Sequence, residues 1–347
     1  MKKVKKTNLR DIANEAGVST ALVSYILNDR HTNRINAQTA QKVKSIAKKL
    51  NYTPDFFAKG LKSQKTKTIG LIIPDLTHPS FIHLAKNIEH ELANHGYLLL
   101  IGSSDERTEK QEFLLNSFIE RKVDGLVILP LDGSKKLIEQ VHNGDIPYVL
   151  TDRYFPESSF NYVTTDNHFG MMALTSHTLK KGNDNIALLT IKSPMHHFAM
   201  RKEGFLDACK AFPLKEPPKI IAFNAESSYE EFESALDHIL NGSDPVKALV
   251  CATDFLAMNT VKYLLKHHKK VPDDLDLVTF DYAPYFSIFP FPILYYEQPL
   301  AKISKKMVTY LIGRIQNHTK TNIMKFIKGE IRNTSTSHPP HKMKLIN

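Results

Sequence analysis

The chain has 347 residues, 42% of them apolar and 24% charged, which suits two or three globular domains. No apolar run approaches the ~20 residues of a membrane span, no apolar segment follows the basic start MKKVKKTNLRDI as a signal peptide requires, and two cysteines, Cys209 and Cys251, make no disulfide framework; a cytoplasmic protein with reduced, buried thiols is expected. The net charge of +10 is uneven, since residues 1–67 carry 15 Lys and Arg against 4 Asp and Glu, leaving 31 against 32 for the rest.

A basic head on a neutral body is the electrostatic footprint of a nucleic-acid-binding module joined to something else, although a solvated lysine-rich face has the same composition. In chain order, Thr7 or Asn8 can cap a first helix over about Leu9–Ala16. Gly17-Val18 interrupts the apolar stripe, and Ser19 is a good N-cap for a second helix that runs to Asn28. The polar loop DRHTNRI leads to a third helix over about Asn36–Leu50, with Val43, Ile46, Ala47 and Leu50 on one face. Pro54 then opens the short segment DFFAKGLKS before the polar linker SQKTKT.

Two helices joined by a tight, Gly-containing turn make a helix-turn-helix, whose second helix enters the major groove. Gly17 tolerates the left-handed backbone of such a turn. Val23, Ile26 and Leu27 would pack inward, leaving Thr20, Ala21, Ser24 and Tyr25 toward base edges. An ordinary αα-hairpin fits the helix pattern as well, but not the basic charge.

From Ile69 the pattern changes. Apolar runs such as IGLIIPD, DGLVILPLD, NIALLTI, ALVCATD and ILYYEQP alternate with helical stretches such as FIHLAKNIEHELANHG and RKEGFLDACKAF. This is the grammar of βαβ units and parallel sheets, over a length that needs two α/β lobes. Ligands bind outside the carboxyl ends of parallel strands. Those ends carry Asp75, Asp152, Asp166, Thr253-Asp254, Asp281 and Glu297-Gln298, a set suited to a small polar molecule. Asp254 before FLAM also reads as a helix cap, and Asp166 as either ligand-facing or structural. The polar stretch after Ile331 is expected to leave the fold.

No glycine-rich phosphate loop or GxSxG elbow follows a strand, and the pairs His196-His197 and His267-His268 lack the i, i+4 spacing of a helical zinc site. These pairs read as solvated faces or linkers. The expectation is a binding protein, not an enzyme, with no cofactor and no metal.

The succession LRDIANEAGVSTALVSYILN, KVKSIAKKLNYTPDFFAKGLKS, TIGLIIPD, RKVDGLVILP, IPYVLTDR, YVTTDN, RKEGF, ALVCATDFLAM, VPDDLDLVTFD and ILYYEQPLAKI resembles the LacI/GalR family of bacterial transcription regulators over essentially the whole chain. The resemblance implies an N-terminal all-α helix-turn-helix head with a hinge helix, plus an α/β two-lobed sensor domain like a periplasmic binding protein. The corresponding spans are 1–53 for the head, 54–67 for hinge and linker, 68–331 for effector binding and dimerisation, and 332–347 for a polar tail. It also implies a homodimer on double-stranded operator DNA, with no membrane partner. Leu61 would be wedged into the minor groove. Thr20, Ala21 and Tyr25 would read bases, and Thr7, Ser19, Asn28 and Tyr52 would contact phosphates. Ala21 offers only apolar contact, for instance with a thymine methyl. Many members have Arg at the position of Tyr25, and the loop Asn28–Ile35 is about two residues longer than in the best-known members.

In the body, the same resemblance places Asp152, Arg153, Arg201, Phe223, Asp281 and Gln298 around a monosaccharide, with Phe81 as a second stacking ring. Carboxylates accept from vicinal hydroxyls, and Arg donates in a fixed fork. Arg201 can also be read as a surface ion-pair partner. Thr253 replaces the usual Asn, and His78-Pro79-Ser80 replaces an Asn-Pro-aromatic triplet. The expected protein is a repressor of a carbohydrate-utilisation operon controlled by a small sugar. A purine or nucleoside, or a protein co-effector, on the same fold is the alternative, and a sugar-binding transport protein the remote one.

Overall fold

The computed structural model describes residues 7–28, 35–52, 65–224, 227–271, 273, 275–317 and 321–335. The expected hinge segment with Leu61 and the middle of the loop between Asn28 and Ile35 lie outside these residues. Contacts divide the chain into two units, 1–66 and 67–347.

In the first unit, α1 (Leu9–Ala16), α2 (Thr20–Leu27) and α3 (Ala37–Lys49) follow the local capping signals. The Asn8 side chain accepts from the Arg10 and Asp11 amides while Asp11 accepts from the Asn8 amide, a reciprocal capping box. Gly17 ends α1 at φ 71°, a left-handed conformation that glycine adopts without steric cost. Ser19 then accepts from the Leu22 amide to start α2. Ile12, Ala13, Ala16, Val23, Ile26, Val43 and Ala47 form the small core. The Lys42 ammonium bonds the carbonyl of Ala16, a favourable place for a cation at a helix end.

The second unit begins with β1 (Thr68–Ile73), α4 (Pro79–Ala93), β2 (Leu98–Ser103), α5 (Thr108–Glu120), β3 (Gly125–Ile128), α6 (Lys135–His142), β4 (Tyr148–Leu150) and β5 (Tyr162–Thr165). It continues with α7 (Asn167–Leu179), β6 (Ile186–Ile191), α8 (His196–Lys210), β7 (Lys219–Phe223), α9 (Tyr229–Leu240), β8 (Ala248–Cys251), α10 (Asp254–Lys266), β9 (Asp276–Phe280), β10 (Leu294–Glu297), α11 (Leu300–Ile315), β11 (Met324–Ile327) and β12 (Glu330–Asn333).

Two six-stranded sheets result, ordered β11-β5-β4-β3-β1-β2 and β12-β10-β9-β8-β6-β7. All pairings are parallel except β12 with β10. The central strands are buried along nearly their full length because helices cover both faces. In the first lobe, α4 and α11 pack on one face through Leu84, Ile88, Met307 and Leu311, and α5 and α6 on the other through Phe118 and Ile138. The core of the second lobe takes in α7, α8, α9 and α10. Since α7 belongs to the second lobe and α11 to the first, the chain crosses between lobes three times, at 165–167, 297–300 and 327–330.

One boundary differs from expectation. Arg332 and Asn333 pair with Tyr295 and Leu294, and the Thr334 amide donates to the Ile293 carbonyl, so the fold continues past Ile331. Both cysteines are free and buried, with burial pushing the Cys209 thiol up to about 11 and the Cys251 thiol up to about 12.

Candidate functional site

On α2, Thr20, Ala21 and Tyr25 are exposed and Ser24 is half-buried, while Val23 and Ile26 point into the core. The face expected toward base edges is therefore the one left in solvent. Ser19 caps α2 as an acceptor, which leaves its hydroxyl hydrogen available to a phosphate. The Asn28 side-chain amide donates to the Ser24 carbonyl at 2.7 Å. Thr7 donates its one hydroxyl proton to the Leu50 carbonyl at 3.0 Å, so donation to a phosphate requires that bond to break. Tyr52 packs, half-buried, against the core of the head.

The body gathers a polar cluster between its lobes. Asp152 and Asp281 sit at the carboxyl ends of β4 and β9, and both adopt left-handed backbone, with φ 62° and 76°. Such conformations are disfavoured for Asp and persist where the surroundings hold them, often at ligand sites. Gln298, on a crossover, donates to Asp281 at 2.5 Å and accepts from the Thr165 hydroxyl at 2.5 Å, tying the ends of β5 and β9.

Arg201 is 4% exposed and densely bonded. Its Nε donates to the Asn167 side chain at 2.8 Å and its Nη1 to the Ala252 carbonyl at 2.6 Å. The guanidinium lies 3.7 Å from Asp281 and 3.7 Å over the Phe280 ring. The surface ion-pair reading of Arg201 is thereby excluded. Gly204, one residue short of a turn later on α8, explains how it gets there. A Cβ at Gly204 would stand 2.2 Å from the His168 carbonyl oxygen, so only glycine lets α8 approach α7, which carries Asn167.

Arg153 forms a bidentate pair with Glu106, at 2.9 and 2.6 Å. Burial raises the carboxyl pKa of Asp152 and of Asp281 despite the neighbouring guanidinium groups. A cavity of about 300 Å³ beside the crossovers is lined by Asp281, Gln298, Ser80, Glu297, Lys302 and Arg332 among others. A much smaller pocket, about 10 Å³, meets Phe81, Asp152, Thr165 and Gln298.

Several expectations change in detail. Thr253, not Asp254, caps α10, accepting from the Leu256 amide at 3.2 Å. Asp254 is instead 2% exposed and faces His78 across the cleft at 3.6 Å. Asp166 caps α7 through the Phe169 amide, the structural one of its two readings. Phe223 stands at the end of β7, but its ring packs on Phe232 within the core of the second lobe. Phe81 lies at the first turn of α4, 4.7 Å from the His78 ring.

His197 corrects the reading of His196-His197 as a solvated pair. It is 6% exposed, one turn before Arg201 on α8, and burial beside Arg201 and Arg153 holds its pKa well below the usual value. Its Nδ1, the Nδ1 of His78 and the Nε of Arg153 are buried without a hydrogen-bond partner among the described residues. His196 meets the Tyr154 ring edge-on at 5.1 Å, another contact across the cleft. The i, i+4 relation of His197 to Arg201 was the sequence signal for it. His267 is the surface residue expected, half-exposed and 2.8 Å from Glu233. Among the described residues no cluster of His, Cys, Asp and Glu is arranged to hold a metal ion.

A family model described as "Bacterial regulatory proteins, lacI family" matches residues 8–55. Another, "Periplasmic binding proteins and sugar binding domain of LacI family", matches residues 66–301. Among relatives, the HTH-type transcriptional regulator RegA of Clostridium saccharobutylicum is 29% identical over 315 residues, covering 89% of this chain and 93% of the relative. The HTH-type transcriptional repressor CytR of Escherichia coli K12 is 26% identical over 312 residues, covering 89% of each. A crystal structure of the lac repressor dimer bound to operator and the anti-inducer ONPF shares the fold, with a TM-score of 0.81 at 19% identity over 96% of this chain and 99% of that one.

Proposed function

The chain belongs to the LacI family of bacterial regulatory proteins, and from that premise we propose that it is a cytoplasmic homodimer that represses a carbohydrate-utilisation operon under control of a small sugar held between its lobes. DNA-binding transcriptional repression is the activity of the family, and the exposed face of α2 suits it. The observation that carries the sugar reading is the convergence of Asp152, Arg201, Asp254, Asp281 and Gln298 from both lobes and a crossover. Carboxylates and a fixed guanidinium are the groups that orient vicinal hydroxyls.

A dimer is supported by apolar side chains left in solvent on one lobe, among them Leu98 and Ile101 on edge strand β2 and Phe113 on α5. Paired heads then read two half-sites. Ligand bound to both lobes favours one spacing of the three crossovers over another, shifting the population competent for DNA, provided its affinity for the two states differs. Leu61, between head and body in the chain, is the residue proposed to wedge the minor groove. Among the described residues no helix is long and apolar enough to cross a membrane.

The test uses a duplex selected from random sequence by the full-length protein, with operator binding followed by fluorescence anisotropy. At least one monosaccharide should change the affinity about tenfold or more. Asp281→Asn should abolish that response and leave binding of the ligand-free protein intact. A full response in Asp281→Asn would sink the proposal.

A further inference from the structure

We propose that the cleft takes an uncharged, hydroxyl-bearing ligand and rejects its phosphorylated counterpart, with Glu106 setting that preference and His197 supplying a neutral hydrogen bond. The assignment rests on the cleft being the effector site, and it goes further by naming the ligand's charge class.

The cations around the cluster and the adjoining cavity already have anionic partners. Both terminal nitrogens of Arg153 are held by Glu106. Arg201 is engaged by Asn167, the Ala252 carbonyl, Asp281 and the face of Phe280. In the cavity wall, Lys302 stands 3.7 Å from Glu330, and Arg332 lies 2.5 Å from Glu297. The carboxylates outnumber them: besides Glu106, Glu297 and Glu330 there are Asp152, 3.6 Å from Arg153 Nε, Asp281, 3.7 Å from Arg201, and Asp254, which has His78 at 3.6 Å and the Tyr285 hydroxyl at 3.5 Å. A dianionic phosphate would meet more carboxylates than cations. It would have to break an existing pair and leave one member without its partner.

The atoms that lack partners are of another kind. His197 Nδ1 is buried without a hydrogen-bond partner, one turn from Arg201 on α8, and burial together with the charges of Arg201 and Arg153 disfavours an imidazolium there. His78 Nδ1 is a single-site group that also lacks a hydrogen bond among the described residues, and Arg153 Nε makes none either but lies 3.6 Å from the Asp152 carboxylate. A hydroxyl donates once and accepts twice, so one ligand hydroxyl can satisfy a neutral imidazole and a carboxylate together. Glu106 is also set in place by its loop. Asp105 and Glu106 are consecutive left-handed residues, with φ 51° and 52°. The loop is held by the Ser103 hydroxyl and Lys110 on Asp105 and by the Glu106 amide on the Pro74 carbonyl. Two such residues in a row are disfavoured, and here they deliver one carboxylate to Arg153.

The test is thermal unfolding of the full-length protein with matched pairs at equal concentration: D-ribose and ribose 5-phosphate, D-glucose and glucose 6-phosphate, adenosine and its 5′-monophosphate. At least one neutral member should raise Tm by about 3 °C or more, and its phosphate by less than about 1 °C. Glu106→Gln, which removes the negative charge and one of the two acceptors from the Arg153 fork at nearly constant volume, should strengthen the phosphorylated member about tenfold. His197→Leu should weaken the neutral member about tenfold, with His197→Gln restoring most of it. The proposal is overturned if a phosphate stabilises the wild type as well as its neutral partner, or if Glu106→Gln leaves the preference unchanged; either result leaves the cleft an effector site. If no compound shifts Tm or alters operator binding, the effector reading fails and this proposal with it.

Discussion

On α2, Thr20, Ala21 and Tyr25, three of the four side chains proposed to face bases, are exposed, Tyr25 at 40%, whereas Arg201, Asp254 and Asp281 in the body are at most 6% exposed. The head commits its buried atoms to a small apolar core and leaves recognition to a surface. In the cleft the groups proposed to hold the effector are themselves part of the packing, because Arg201 bonds three elements and lies on a core aromatic ring. A surface reader can change its specificity at little cost in stability, while a buried, mutually bonded cluster cannot.

Ionic strength separates the two regions most widely. Operator affinity should fall about 10³-fold or more between 50 and 200 mM salt through counterion release, while effector affinity, made by buried groups to an uncharged ligand, should change less than about threefold. Anisotropy and calorimetric titrations over that range check both; a flat operator profile would remove the electrostatic reading of the head. Next in size is Arg201→Met. It leaves Asp281 buried without its guanidinium and should cost about 3–5 kcal/mol in urea unfolding of the body. Tyr25→Ala should stay within about 0.5 kcal/mol yet change operator affinity. Equal stability losses at the two positions would erase the distinction.

What could be read from the chain follows the same division. The caps Asn8, Ser19 and Asn36 and the break at Gly17 act over three or four residues, so α1, α2 and α3 were legible with their ends. Strands β1 to β10 were legible as apolar runs, the central ones because helices cover both sheet faces and the edge strands β2 and β7 because they stay apolar although partly exposed. Strands β11 and β12 were not, since MKFI and EIRN are edge strands whose side chains are mostly exposed or half-buried. Their pairing with β5 and β10 is a property of the fold, and no local pattern announces it. Asp152, Arg201, Asp281 and Gln298 stood out as polar groups at strand ends or within a recognisable motif. Glu106, in the polar loop SSDER, had no such frame. The exchange of roles between Thr253 and Asp254 turns on a one-residue shift in where α10 starts, beyond what capping preferences resolve.

Gly204 tests the middle of the range, where helix packing and site geometry meet. Gly204→Ala places a methyl group 2.2 Å from the His168 carbonyl oxygen, which belongs to backbone and cannot step aside. The expected loss is about 1–3 kcal/mol in urea unfolding, together with weaker effector binding as α8 moves Arg201 off Asn167. Unchanged effector affinity at the expected stability loss would show that the seat of Arg201 does not depend on this helix contact.

The smallest effect comes from the one buried imidazole in the cluster. His197 is held neutral by burial and by Arg201, Arg153 and His196 around it, so its pKa in the folded protein lies well below the ordinary 6.5. A depressed value means that the unfolded chain binds the proton more readily than the folded one. The stability this contributes is therefore complete above about pH 6.5 and is lost as pH falls toward the folded value. Asp152 and Asp281, whose values burial raises, act in the opposite sense: their contribution is complete at low pH and is lost as pH rises through the folded values. His197→Gln keeps a neutral polar side chain and removes only the histidine contribution, so the drop in body stability from pH 7 to pH 5 should shrink while the carboxylate contribution stays. Urea unfolding at both pH values measures the difference, and an identical pH dependence in the variant would mean that His197 reaches solvent and charges freely, which places it outside the buried cluster.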